Sequence, residues 1–334
     1  MERTNIRDLR VLYLGKHDEF RLNQSQRYLR KELKKLCHVD EYGIEWTHPT
    51  LPSMRKNFIS DLVVIDKEFN PDVILIDSRK QMVWHNAPKI TTPVAILMDD
   101  PHGARQRLDW INRDKIEMTL FKYIGGWEWW KERLHDTHKQ RWLPHACHED
   151  VFYERGLDRS YDFALTGRSH ASTYPLRSAI YAWLGYGRTP KDVNKNYDVI
   201  WKPRHKRSWG WTEAKRKSTG IVLGDEYAEV LGSAKIYPTG SSVYKYAVTK
   251  CFEVMGTGTA LAMNETSGDT QLGFQRDYNY IHIDQNTFKD KLNYYLENYG
   301  EAQKIASRAK ELIERRHSTK VRAQELLKYF EELY

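Results

Sequence analysis

Cysteine is scarce in this sequence: its 334 residues include three, Cys37, Cys147 and Cys251, without paired spacing. A disulfide framework needs pairs of cysteines, so we expect a reducing compartment. No apolar run approaches the ~20 residues that a membrane-spanning helix needs. The charged first segment, MERTNIRDLR, lacks the pattern of a signal peptide. We therefore expect a soluble, cytoplasmic protein without a membrane partner.

Two nucleotide-binding motifs are also missing. The sequence contains no Walker A motif and no complete GxGxxG; Gly256-Thr257-Gly258 has two glycines and follows a predicted helix rather than a strand. A metal site is not predicted either. His145, Cys147 and His148 lie close together in sequence, but a structural zinc site needs a fourth ligand at a defined spacing.

The length of the chain predicts two domains rather than one. Residues 71–77 and 93–98 form nearly continuous apolar runs, which are typical of parallel strands covered on both faces. Strand and helix patterns alternate through both halves, and we predict two doubly wound α/β domains. Their expected limits are 1–150 and 151–316, with a final helix in 317–334. The pattern also predicts a strand at 44–47 and helices at 53–69 and 246–255.

Residues 245–264, KYAVTKCFEVMGTGTALAMN, predict a helix, a glycine turn and a strand. Glu253 is the one carboxylate inside the predicted helix. If its side chain faces a cleft, it can accept two hydrogen bonds from a diol such as a ribose. The alternative interpretation is a solvated helix glutamate.

The segment Lys250–Gly258 resembles the Arg-x-Phe-Glu-Ala-x-Ala-x-Gly motif of nucleotide-sugar glycosyltransferases with the GT-B fold, in particular the CgeB-like, spore-maturation branch. Lys250 replaces the usual arginine and Gly256 an alanine. The resemblance implies two Rossmann-like domains facing a central cleft and a C-terminal helix that crosses back to the first domain. It also implies that Glu253 binds the donor ribose.

Two further segments carry this resemblance. Residues 143–152 are similar to the family's Leu-Pro-x-Gly-x-Asp linker, with His148 at the aspartate position. Residues 161–168, YDFALTGR, are similar to the strand that opens the nucleotide domain. A strand, a glycine and a helix N-terminus together favour phosphate binding. The resemblance implies a donor site formed by five residues: Gly167, Arg168, Arg177, Lys250 and Glu253.

The resemblance implies a hexosyltransferase that takes a UDP-sugar as donor substrate and needs no cofactor. The sequence has no Asp-x-Asp, so positive side chains would replace a metal. An inverting enzyme also needs a base. Asp100, with His102 nearby, follows a predicted strand, and ligands of open α/β sheets bind at that end. In an equal alternative to the base, Asp99 or Asp100 caps the helix that follows.

A basic segment at 202–217 holds seven Lys/Arg and one acid, and supplies +6 of the net charge of +8. It is interleaved with tryptophans, and such a mixture suits nucleic acid. The candidate contacts are Arg204, Lys206, Arg207, Trp209 and Trp211. The acceptor would then be a hydroxylated base in DNA, as in virus-encoded enzymes acting in a host cytoplasm.

Four alternatives remain open. The basic segment could instead be a solvated loop, and the acceptor could be a cell-surface or spore glycan. The whole chain could be a non-catalytic nucleic-acid-binding GT-B scaffold or an unrelated Rossmann-type enzyme.

Overall fold

The chain divides into two compact units in a computed structural model. The described residues are 8–16, 24–44, 46–51, 59–77, 83–85, 89–98, 105–113, 116–124, 130–134, 137–167, 169–186, 194–202 and 220–334. The first unit comprises 1–19, 26–144 and 320–334, and the second comprises 20–25 and 145–319. The expected limits at residues 150 and 316 stay predictions.

The first unit is built on a parallel sheet of six strands in the order β2-β1-β4-β6-β7-β8. These strands are β1 Arg10–Lys16, β2 His38–Ile44, β4 Val73–Asp77, β6 Val94–Met98, β7 Met118–Phe121 and β8 Lys139–Trp142. A second, parallel pair joins β3 Ile59–Asp61 to β5 Val83–His85. The helices of this unit are α1 Ser25–Leu33, α2 Leu62–Phe69, α3 Arg105–Arg113 and α10 Thr319–Glu331.

Both faces of this sheet are covered, as the apolar runs predicted. Every residue of β4 and β6 is buried. Ile74 and Ile96 pack on one side with α2, while Leu75 and Leu97 pack on the other side with α1 and α10. The last helix is fixed further by Tyr329, whose hydroxyl donates to the Trp142 carbonyl oxygen at 3.1 Å.

The second unit holds a parallel sheet of five strands in the order β10-β9-β11-β12-β13. Its strands are β9 Tyr161–Thr166, β10 Val199–Lys202, β11 Ala234–Pro238, β12 Ala260–Met263 and β13 Ile281–His282. Its helices are α4 Pro175–Trp183, α5 Gly224–Gly232, α6 Thr249–Gly256, α7 Asp269–Leu272, α8 Phe288–Glu297 and α9 Tyr299–Arg316. Because all five strands are parallel, their carboxyl ends meet at one edge of the sheet.

Three predicted elements differ from the structure. The strand expected at 44–47 lies earlier, at β2, and ends at Ile44. The helix expected at 53–69 begins at Leu62, where the Asp61 side chain caps it by accepting from the Val63 amide at 2.9 Å. The helix expected at 246–255 begins at Thr249, because Lys245 has a left-handed φ of 53° and Val248 is extended.

Candidate functional site

The carboxyl edge of the second sheet carries the candidate site. Strand β9 ends at Thr166, and the chain turns at Gly167 with a φ of +90°. A side chain at this position would be strained. A Cβ built on Gly167 would also lie 2.7 Å from the Lys250 Nζ atom. The glycine therefore permits both the turn and the close approach of a cation.

Lys250 lies in the first turn of α6 and reaches across to this glycine turn. Its Nζ donates to the Thr166 carbonyl oxygen at 2.5 Å and lies 5.4 Å from the centroid of the Tyr237 ring. The family resemblance implied that Gly167 and Lys250 belong to one donor site, and the structure places these two residues next to each other. The positive charge at the end of β9 is positioned for an anionic group.

Glu253 lies one turn after Lys250 on α6, where side chains three residues apart share a helix face. It is half-buried, and its carboxylate makes no hydrogen bond or ion pair with any residue that the structure describes. Burial raises the pKa of Glu253 to about 7, and the Lys250 charge opposes this rise. Because this carboxylate has no hydrogen-bond partner among the described residues, its oxygen atoms can accept hydrogen bonds from a ligand.

Three tyrosines surround the end of β9, and sequence reasoning did not single them out. The Tyr181 and Tyr237 hydroxyls donate to the Thr166 carbonyl oxygen at 2.8 and 3.2 Å. The Thr166 hydroxyl lies 2.7 Å from the Tyr237 hydroxyl and 3.4 Å from that of Tyr227. Burial, and then the Glu253 charge, raise the pKa of Tyr227 well above its usual value.

Arg177 is buried on α4, beside the loop that follows β11. Its Nε donates to the Thr239 hydroxyl at 2.9 Å, and one Nη donates to the Gly240 carbonyl oxygen at 3.0 Å. Its guanidinium also lies 4.0 Å from the centroid of the Tyr174 ring. These contacts fix the loop at the carboxyl edge of the sheet. The role of Arg177 in binding the diphosphate stays a prediction.

Gly256, which stands where the resembling family has alanine, is explained by close packing. A Cβ on Gly256 would lie 2.4 Å from the Cys147 Sγ and 2.7 Å from the Phe152 carbonyl oxygen. The segment around Cys147 thus lies directly on the last turn of α6. Cys147 itself donates to the Phe152 carbonyl oxygen at 3.4 Å.

The histidine in front of this cysteine also has a partner in the same unit. The Nδ1 of buried His145 lies 2.9 Å from the hydroxyl of Thr249, the first residue of α6. His145 and Cys147 therefore help to hold the helix that carries Lys250 and Glu253.

The remaining predicted site residues lie outside the described part of the chain. They are Asp100, His102, Arg168, Arg204, Lys206, Arg207, Trp209 and Trp211. Their assigned roles stay predictions. None of the described helices is long and apolar enough to cross a membrane.

Comparison with known proteins defines the fold class. Residues 186–328 match a family model described as glycosyl transferase-like. The structure of sucrose-phosphate synthase from Thermosynechococcus elongatus superposes with a TM-score of 0.66 at 11% identity, covering 97% of this chain and 99% of that one. A Rickettsia africae glycosyltransferase gives 0.63 at 12% identity, with 98% of each chain covered.

The Anabaena protein HepE, solved in complex with UDP-glucose, gives a TM-score of 0.64 at 10% identity, covering 97% of this chain and all of that one. No curated protein sequence matches the chain. The prediction of two Rossmann-like domains in a GT-B fold is confirmed. The match of residues 186–328 to the glycosyl transferase-like model agrees with the expectation of a glycosyltransferase.

Proposed function

We propose that the protein transfers a sugar from a UDP-sugar donor to a hydroxyl acceptor. The observation that carries this proposal is Glu253: its half-buried carboxylate has no hydrogen bond among the described residues and lies one turn from Lys250. A carboxylate accepts two hydrogen bonds from a vicinal diol, and a ribose supplies one. HepE, which shares the fold, was crystallised with UDP-glucose and with UDP, and this supports a uridine nucleotide.

In this proposal the donor diphosphate binds at the Gly167 turn. Lys250 neutralises the phosphates there, helped by Arg168 and Arg177. The bond between the anomeric carbon and the diphosphate oxygen breaks, and its electron pair leaves on UDP. The acceptor oxygen forms the new bond. In an inverting reaction its proton passes to Asp100, with His102 nearby.

The test is release of UDP from a panel of UDP-sugars, including UDP-glucose, by the full-length protein with and without acceptor. The wild type is expected to release UDP from at least one donor. Glu253→Ala is expected to stay folded and to lose this release. Glu229→Ala is the matched control, because Glu229 is an exposed helix glutamate of the same unit. Equal release by wild type and Glu253→Ala would remove Glu253 from the donor site.

The finer proposal for the acceptor is a hydroxylated base in DNA, and it rests on the basic segment 202–217. Each phosphate contact on duplex DNA contributes ~0.9 to the slope of log K against log salt. Replacing Arg204, Lys206 and Arg207 together by alanine is expected to flatten that slope by up to about three such contributions. Trp209→Ala and Trp211→Ala are expected to lower affinity with little change in slope, since stacking releases no counterions.

Donor binding is the internal control for these variants, because it is expected to stay unchanged in all of them. An equal salt slope before and after the triple change would identify the segment as a solvated loop and favour a glycan acceptor. A cytoplasmic location and membership of the CgeB-like branch belong to the same proposal.

A further inference from the structure

Tyr237 is a buried tyrosine next to the candidate diphosphate cation. It is 1% exposed, in strand β11, and the centroid of its ring lies 5.4 Å from the Lys250 Nζ. An ammonium within about 6 Å of an aromatic centroid is attracted by the ring, most strongly where water is excluded. The ring therefore stabilises the positive charge of Lys250.

The orientation of this ring is set by two hydrogen bonds to a single residue. The Tyr237 hydroxyl lies 2.7 Å from the Thr166 hydroxyl and donates to the Thr166 carbonyl oxygen at 3.2 Å. Lys250 donates to that same carbonyl oxygen. Ring, carbonyl and ammonium thus form one connected arrangement at the end of β9, beside the Gly167 turn.

We infer that Tyr237 is a positioning residue, which holds the Lys250 ammonium over the Gly167 turn so that it meets the diphosphate of a nucleotide. The inference rests on the proposed function. Tyr237 itself does not touch the nucleotide. Its effect is confined to the phosphate-binding charge and does not extend to Glu253, which takes the ribose.

This division of roles gives a readout that general damage to the fold would not produce. UDP contains the diphosphate, whereas uridine contains the ribose and base alone. Loss of the Tyr237 hydroxyl leaves the ring loosely held, and loss of the ring removes its attraction for the ammonium. Both changes are expected to weaken UDP binding and to leave uridine binding unchanged.

The experiment measures UDP and uridine affinities by calorimetric titration of the full-length protein. Tyr237→Phe is expected to weaken UDP binding about threefold and Tyr237→Leu about tenfold, with uridine affinity within about twofold in each. In a Lys250→Met background neither change is expected to weaken UDP binding further, since the effect passes through the ammonium. Tyr280→Phe and Tyr280→Leu are matched controls, because Tyr280 is also a buried tyrosine and its hydroxyl donates to the Asp269 carboxylate at 2.9 Å.

The outcomes separate this inference from the proposed function. No UDP binding by the wild type would overturn both. UDP binding by the wild type, with unchanged UDP affinity in folded Tyr237→Phe and Tyr237→Leu, would overturn the inference alone. Equal losses for UDP and uridine would also overturn it, since they would indicate a structural role. Thermal melts of each variant establish that it is folded.

Discussion

Replacing Glu253 by glutamine changes the charge of the site while nearly preserving its volume. Burial raises the pKa of Glu253 from 4.5 to about 7 in the folded protein. A difference of one in pKa between the folded and unfolded states corresponds to about 1.36 kcal/mol. The ionised carboxylate therefore lowers the free energy of unfolding by about 3 kcal/mol. Below pH 4.5 the group is protonated in both states, and this cost is absent. The cost grows between pH 4.5 and 7 and is complete above pH 7.

Glutamine is neutral at every pH, so it avoids this cost. Glu253→Gln is expected to be more stable than the wild type at pH 8, by up to about 3 kcal/mol. The difference should shrink to near zero toward pH 4.5. Thermal melts without nucleotide, recorded between pH 5 and pH 8, measure it. In a domain of 150–250 residues each kcal/mol corresponds to about 2–4 °C.

Glu229→Gln serves as the control, because this exposed helix glutamate also loses a charge. It is expected to change the melting temperature little at either pH. A Glu253→Gln variant that melts below the wild type at pH 8 would refute the reasoning. A stability difference that does not depend on pH would refute it as well.

Three further predictions concern the same sites. Gly256→Ala should lower the free energy of unfolding by about 1–3 kcal/mol through its contact with Cys147, and adding Cys147→Ala should recover part of the loss in thermal melts; strictly additive losses would contradict this packing. UDP affinity, measured by titration from pH 5 to pH 8, should fall up to about tenfold per pH unit below pH 7 as Glu253 is protonated, and a flat profile would argue against a ribose-binding carboxylate. Asp100→Asn should keep UDP affinity and lose turnover if Asp100 is the base, whereas a helix cap would cost about 1 kcal/mol or less of stability and spare turnover.

Local sequence patterns predicted the parts of the fold that depend on burial. The runs at 71–77 and 93–98 are strands β4 and β6, because a continuous apolar segment of that length fits a sheet covered on both faces. The start of α6 was not predictable in this way. Tyr246 and Val248 continue the helical spacing, but Val248 has an extended backbone, so the helix begins one residue later, at Thr249.

Some residues of the candidate site could be connected from the sequence, and others could not. Lys250 and Glu253 share one helix turn, so a motif of neighbouring residues was enough to connect them. Tyr181 and Tyr237 are far from Thr166 in sequence, and they meet it through strand pairing and through the packing of α4. No local pattern encodes such contacts, and for that reason sequence reasoning missed them.

The most direct measurement is a calorimetric titration of the full-length wild type and of Glu253→Gln with UDP at pH 8. We predict that the wild type binds UDP and that the folded Glu253→Gln variant loses most of this affinity, because an amide cannot replace an ionised acceptor of two ribose hydroxyls. The same UDP affinity in both proteins would contradict the assignment of Glu253 to the donor ribose.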